Sequence, residues 1–126
     1  MKRLWTAAAL LLLLLAASLV NAWYAQRLAD SLTGRLEQAQ ALAREEQWGQ
    51  AEQLTRETYS DWESHHFYLH SVLRHSDTDQ ILRSFRSVLQ YLSIQELDQY
   101  AAANADLISQ LELLAEMEQA SLVNVL

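Results

Sequence analysis

The 126-residue chain has no cysteine, no proline and only two glycines. Without cysteine it can build neither a disulfide framework nor a lipid-modified cysteine anchor. With the residues that punctuate turns and strands nearly missing, and Ala, Leu, Gln and Glu abundant, the composition favours helix throughout. Positive charge is scarce as well. Nine basic side chains face sixteen acidic ones, and no Lys or Arg follows Arg86. After Ala22 the balance is seven basic against sixteen acidic, a net charge of −9. A nucleic-acid partner is therefore excluded, because a phosphate backbone is bound through a basic stripe. Anionic lipid headgroups would likewise repel the second half of the chain.

One long segment lacks charge altogether. Leu4 to Val20 is an apolar run of 17 residues, preceded by Lys2 and Arg3 and flanked by Trp5 and Trp23. The two indoles lie 18 residues apart. At the helical rise this is about 27 Å, close to a bilayer hydrocarbon core of about 30 Å. The segment reads as a transmembrane signal anchor over residues 1–24, in contact with the bilayer through residues 4–24. Its basic flank biases the N-terminus to the cytoplasm and leaves residues 25–126 as an extracytoplasmic domain. The alternative is a secretory signal, since Val20-Asn21-Ala22 fits a small-residue cleavage pattern; cleavage after Ala22 would release a secreted protein.

The remaining hundred or so residues are enough for one domain with a modest core. Leu28, Leu32, Leu36, Ala39 and Leu42 recur at steps of four and three, which predicts a helix continuing from the anchor, with a bend or fraying near Gly34. Glu45-Glu46-Gln47 reads as a turn. A second helix follows from the stripe Trp48, Ala51, Thr55, Thr58, Trp62, His65, Leu69 and Val72. Ser76 with Asp79 reads as a capping box opening a third helix, whose core face is Ile81, Phe85, Val88 and Leu92, widened by Leu82 and Leu89. Ser93-Ile94-Gln95-Glu96 reads as a second capping box opening a fourth. That helix carries the row Leu97, Ala101, Asn104, Ile108, Leu111 and Ala115, supported by Leu107 and Leu114. A mostly apolar tail, Ser121 to Leu126, is expected to dock onto the domain. Short connections join antiparallel neighbours, so the expected fold is all-α: an N-terminal transmembrane helix followed by an antiparallel helical bundle of about four helices.

Trp48-x-x-Ala51, Trp62, the step from His75 to Asp77, Tyr91 and the closing Ser121-Leu-Val-Asn124-Val-Leu126 occur in an order that resembles the bacterial family called domain of unknown function 4363. The resemblance runs the length of the chain. This sequence differs in having a single lysine, with arginine and alanine where relatives are lysine-rich, which changes the surface and not the core plan. The resemblance implies a small membrane-tethered helical protein without an assigned activity, working beside multi-span membrane proteins.

Candidate sites are few. Glu63, His66 and His70 share one helical face, and Glu63-Ser-His-His66 matches half of a carboxylate di-iron element. All four histidines lie between 65 and 75, so no other helix supplies the second half; the simpler reading is a solvent-facing edge. His75, beside Asp77 and Asp79, suits a structural role at a helix end or a pH-responsive latch. Ser64, Ser71 and Ser76 lie near histidines, but no glycine-rich oxyanion loop accompanies them. Trp48, Trp62, Tyr59, Tyr68 and Tyr91 can line a ligand pocket or pack the core, and packing is the commoner use. Asn104, in an apolar row, fits a register-fixing buried amide or a partner contact. Asp106, Glu112, Glu116 and Glu118 form a solvated face.

The sequence thus points to a non-enzymatic interaction or accessory module for an envelope or membrane partner, without cofactor or catalytic residues, and open to pairing with a second copy. The alternative is a metal- or pH-sensing module built on Glu63, His66, His70 and His75.

Overall fold

The computed structural model describes the backbone of residues 1–70 and 75–125 and the side chains of residues 1–65 and 78–117. Four helices account for nearly all of it: α1 (Lys2–Arg44), α2 (Trp48–His70), α3 (His75–Ser93) and α4 (Leu97–Val125). Among the described residues there is no strand. Each helix packs mainly on two others, α1 and α3 both lying against α2 and α4, and this closed ring makes a helical bundle.

α1 passes from the apolar run into the bundle without interruption, through Gly34. The expected bend or fraying there is not a break. Thr33 is buried, and its hydroxyl donates to the Asp30 carbonyl oxygen within the same helix. Along α1, Leu32, Leu36, Ala39 and Ala43 are buried, with Leu28 and Leu42 packed at the margin.

The predicted stripe of α3 is buried in full: Ile81, Phe85, Val88 and Leu92. In α2 the buried positions are Ala51, Thr55, Thr58 and Trp62. The two threonine hydroxyls donate 2.8 Å bonds to the carbonyls of Ala51 and Leu54, so small side chains face the core with their polar atoms satisfied inside the helix.

α4 departs from expectation. Its buried row is Tyr100, Asn104, Leu107, Leu111, Leu114 and Ala115; Ala101 and Ile108 are half-buried, and Leu97 is exposed. At 100° per residue the helix is turned by roughly 50° from the expected row. The bulk of Tyr100 explains it, because burying this ring removes more apolar surface than burying Leu97 at the first helical position.

The capping boxes are corrected too. Ser93 ends α3, its hydroxyl donating to the Gln90 carbonyl at 2.7 Å, and α4 starts only at Leu97. α3 begins at His75, so Ser76 lies inside the helix and not at its cap. The turns after α1 and α3 are closed by backbone bonds. Gln47 N–H donates to Leu42 O at 2.9 Å and Glu46 N–H to Ala43 O at 3.0 Å, while Glu96 donates to Tyr91 O at 3.1 Å and Gln95 to Leu92 O at 3.2 Å. Both are Schellman closures, which satisfy carbonyls left open at a helix end. The left-handed position falls on Glu46 (φ 65°) and Gln95 (φ 57°), where a side chain is strained. Replacing both by glycine is expected to raise stability by about 0.5–1 kcal/mol per site, even after the added freedom of the unfolded chain. Urea unfolding of the double variant measures it, and a lower midpoint would contradict it.

Candidate functional site

Four groups of polar side chains lie within or between the helices. The first joins α1 to α2. Arg35 pairs through Nη2 with Asp61 Oδ2 and also donates to Ser31 Oγ at 3.1 Å. Both charged side chains are about one-third exposed, so the pair contributes at most about 1 kcal/mol and weakens with salt. One turn on, His65 Nδ1 donates to the Asp61 carbonyl at 2.8 Å and lies 3.7 Å from Asp61 Oδ1, its ring 5.9 Å from that of Tyr24.

Ser64 Oγ is 3.1 Å from that same His65 nitrogen. In a nucleophilic triad the serine and the carboxylate must sit on opposite ring nitrogens, so that one proton is taken while the other is held. Here Ser64 and Asp61 crowd a single nitrogen, and Ser64 already donates to the Asp61 carbonyl at 2.7 Å. The arrangement fastens a helix and has no relay.

Of the metal candidates, Glu63 is exposed and accepts a 3.0 Å bond from the Tyr59 hydroxyl. Burial, then this carboxylate, pushes the Tyr59 pKa upward. The side chains of His66, His70, His75 and Asp77 lie outside the described residues, as do those of Tyr68, Ser76, Asn124 and the rest of the closing tail. No group of three or more metal-type ligands occurs among the described residues.

Among the described aromatic candidates, Trp62 is buried and Tyr59 packs against the core beside it. Phe85 stands edge-on to Tyr59 at 5.3 Å and lies 5.9 Å from Trp62, with Tyr59 and Trp62 at 6.4 Å. Trp48 and Tyr91 pack at its margin.

The third group is the polar layer between α1 and α4. Asn104 is fully buried, and its amide nitrogen donates to Leu36 O at 3.1 Å and Gln40 Oε1 at 3.0 Å. One turn earlier Tyr100 is also fully buried. Its hydroxyl and Asn104 Oδ1 have no partner among the described residues. One is a donor and the other an acceptor on the same face, which is unusual in so small a core. Tyr100 escaped the sequence reading, although Tyr100, Asn104, Leu107, Leu111 and Leu114 follow the four-and-three steps of a bundle seam.

On the opposite side of α4, a shallow open groove runs between α3 and α4. Arg83, Ser84, Ser87, Tyr91, Gln99, Asp106 and Gln110 line it over Ala102 and Ala103. Ser84 donates across it to Gln110 Oε1 at 3.0 Å.

Residues 20–125 match the family described as Domain of unknown function (DUF4363). The chain belongs to that family. The match takes in all of the bundle and starts at the end of the apolar run, leaving most of that run outside it. No curated protein and no solved structure matches the chain.

The Tyr100 hydroxyl gives this DUF4363 member a measurable signature. Burial pushes its pKa up to about 12 from 10. In the unfolded chain the phenol ionises near 10, so the stability tied to the neutral, buried form is complete below pH 10. It is lost as pH rises through about 12, by roughly 2–3 kcal/mol. Tyr100→Phe removes the unpartnered hydroxyl and is expected to be neutral or stabilising by up to about 1 kcal/mol at pH 7, with a flatter fall in stability above pH 10. An unchanged alkaline profile would place that titration elsewhere.

Proposed function

We propose that this chain is a non-enzymatic, single-pass membrane protein whose up-and-down, antiparallel bundle serves as an interaction or accessory module for another membrane or envelope protein. The observation carrying the reading is α1. It is one continuous helix of 43 residues, about 65 Å at the helical rise, whose first half is long and apolar enough to cross a membrane and whose second half is bundle core. A linker-free joint of this kind sets the bundle at a fixed height, with its far turn about 30 Å above Trp23. A partner is then met at raised effective concentration, so a modest interface suffices.

One feature favours a retained anchor over a cleaved signal. Arg27 lies over the Trp23 ring at 5.3 Å, an arrangement suited to an interfacial aromatic below a phosphate-seeking guanidinium. The antiparallel arrangement is supported by paired positions that rise on one helix as they fall on the next: Tyr24 with His65 and Arg35 with Asp61 between α1 and α2. With the N-terminus cytoplasmic, the bundle stands outside the cell membrane.

The groove between α3 and α4 is the surface offered to the partner, because it combines serine and glutamine donors and acceptors and one charge of each sign, Arg83 and Asp106, with an alanine floor and one aromatic, Tyr91. Photo-cross-linkers at Ser87 and Gln99 in intact membranes are expected to capture one recurrent membrane protein, and one at Glu57 on the opposite side is not. Capture of only diffuse neighbours from all three positions would refute the reading.

A further inference from the structure

We propose that the last turns of α4, from Ser121 to Val125, enter the membrane leaflet on the bundle's side, so that the bundle is fastened to the bilayer at two points. The inference rests on the anchored, antiparallel reading above and adds a second lipid contact to it. Its first support is register. Asn104 donates to Leu36 O and Gln40 Oε1, which sets α4 at that height beside α1. Counting equally down two antiparallel helices brings Gln119 level with Trp23. Val125 then lies about 9 Å below the indole, within the roughly 5–10 Å to which interfacial helices sink.

The second support is burial along α1. Its covered face continues from Ala29 through Ala25 and Ala22, all buried, to Ser18 and Leu15, which are half-buried. Around them Leu11 to Leu14 and Leu19 are 51–69% exposed. The spacing of four, three, four and three is a helix seam, so another helix runs alongside the apolar segment below Trp23. α2 does not reach so far: the Arg35–Asp61 pair puts its last residue, His70, near the level of Gln26, and the Tyr24–His65 contact puts it near Leu19, above both Ser18 and Leu15. α4, which continues to Val125, is the helix with the length to do so.

The third support is charge. On α1 the first charged side chain above the apolar run is Arg27; on α4 the last is Glu118, level with Tyr24 by the same count. Charge ends at nearly the same height on both helices, as it would at a bilayer surface. Leu113 and Met117, exposed on α4 just above that height, extend its apolar character upward. The open carbonyls of a helix end limit the depth to the headgroup and upper acyl region.

The absence of cysteine makes the test direct. Single cysteines at Ser121, Leu122, Val123 and Asn124, with references at Leu12 and Gln99, are each labelled with a polarity-sensitive fluorophore on the full chain in phosphatidylcholine vesicles. The Leu12 label and at least one of the four tail labels, which together cover every side of the helix, are expected to be quenched by acyl-chain nitroxide lipid. The same labels should be about tenfold less open to aqueous iodide than the Gln99 label. Tail labels as open to iodide as Gln99, with Leu12 in lipid, would overturn the second contact and leave the anchor standing. Tail labels shielded from both quenchers would overturn it as well, by placing the tail inside protein. A Leu12 label open to iodide would remove the anchor itself, and this inference with it.

Discussion

Phe85→Ala is expected to cost the bundle about 3–5 kcal/mol. Phe85 is fully buried on α3, and its ring touches Tyr59 and Trp62 of α2, so one truncation opens a cavity between two helices and removes the edge-on contact to Tyr59. Domains of this size have about 5–15 kcal/mol in total, and a bundle whose core is largely alanine, threonine and leucine has little large-residue packing in reserve. For about a hundred residues the loss corresponds to a fall in melting temperature of roughly 15–30 °C. Thermal unfolding of the full chain in detergent, followed by circular dichroism, measures it. Phe85→Leu, which keeps most of the volume, should lose far less, and Asp61→Asn, which removes the one-third-exposed carboxylate facing Arg35 and His65, should cost no more than about 1 kcal/mol. A loss below about 1 kcal/mol for the alanine variant would mean that the three rings do not form the centre of the core.

Arginine at both Leu11 and Leu14 is expected to abolish stable membrane insertion. Each arginine near the middle of a span adds about 3 kcal/mol to the insertion free energy, and each lost leucine removes about half a kcal/mol of favourable transfer. Together they shift the equilibrium by roughly 7 kcal/mol, comparable to the entire driving force of the run. Wild-type chain is expected at full-length mass in a membrane pellet that resists urea, and the double variant in the soluble or aggregated fraction. Wild-type chain recovered in solution and starting at Trp23 would show instead that the segment is a cleaved signal.

How much the sequence disclosed depended on how distinctive each pattern was. In α3 the spacing of Ile81, Phe85, Val88 and Leu92 allows one apolar face only, and that face is buried. In α4 two rows at the same spacing compete, one containing Leu97 and Ile108 and the other Tyr100 and Leu107. A hydropathy pattern ranks tyrosine as half-polar, so the row that buries Tyr100 was missed. Ser93 resembled a cap because serine followed three residues later by glutamate is a common helix start. The backbone instead closes the turn itself through the left-handed residue Gln95, and Ser93 bonds back into α3. Both errors concern choices between local alternatives of similar energy, which distant contacts settle.

The interaction of Asn104 with α1 shows the same division. Its place in an apolar row announced a buried amide, but its partners, Leu36 O and Gln40 Oε1, lie more than sixty positions away. The Arg35 and Asp61 pair, likewise, joins positions 26 apart, and neither residue stands out in its own helix.

Composition and periodicity alone determined that this protein is helical and that one segment is apolar enough for a bilayer, because each follows from local backbone preference and from the transfer of side chains out of water. Family membership was also legible in the order of its motifs. Only the tertiary structure decided which face of α4 is buried and what Asn104 grips. Those outcomes depend on which side chains fill the same space when the helices meet, and that competition is decided by packing across the bundle.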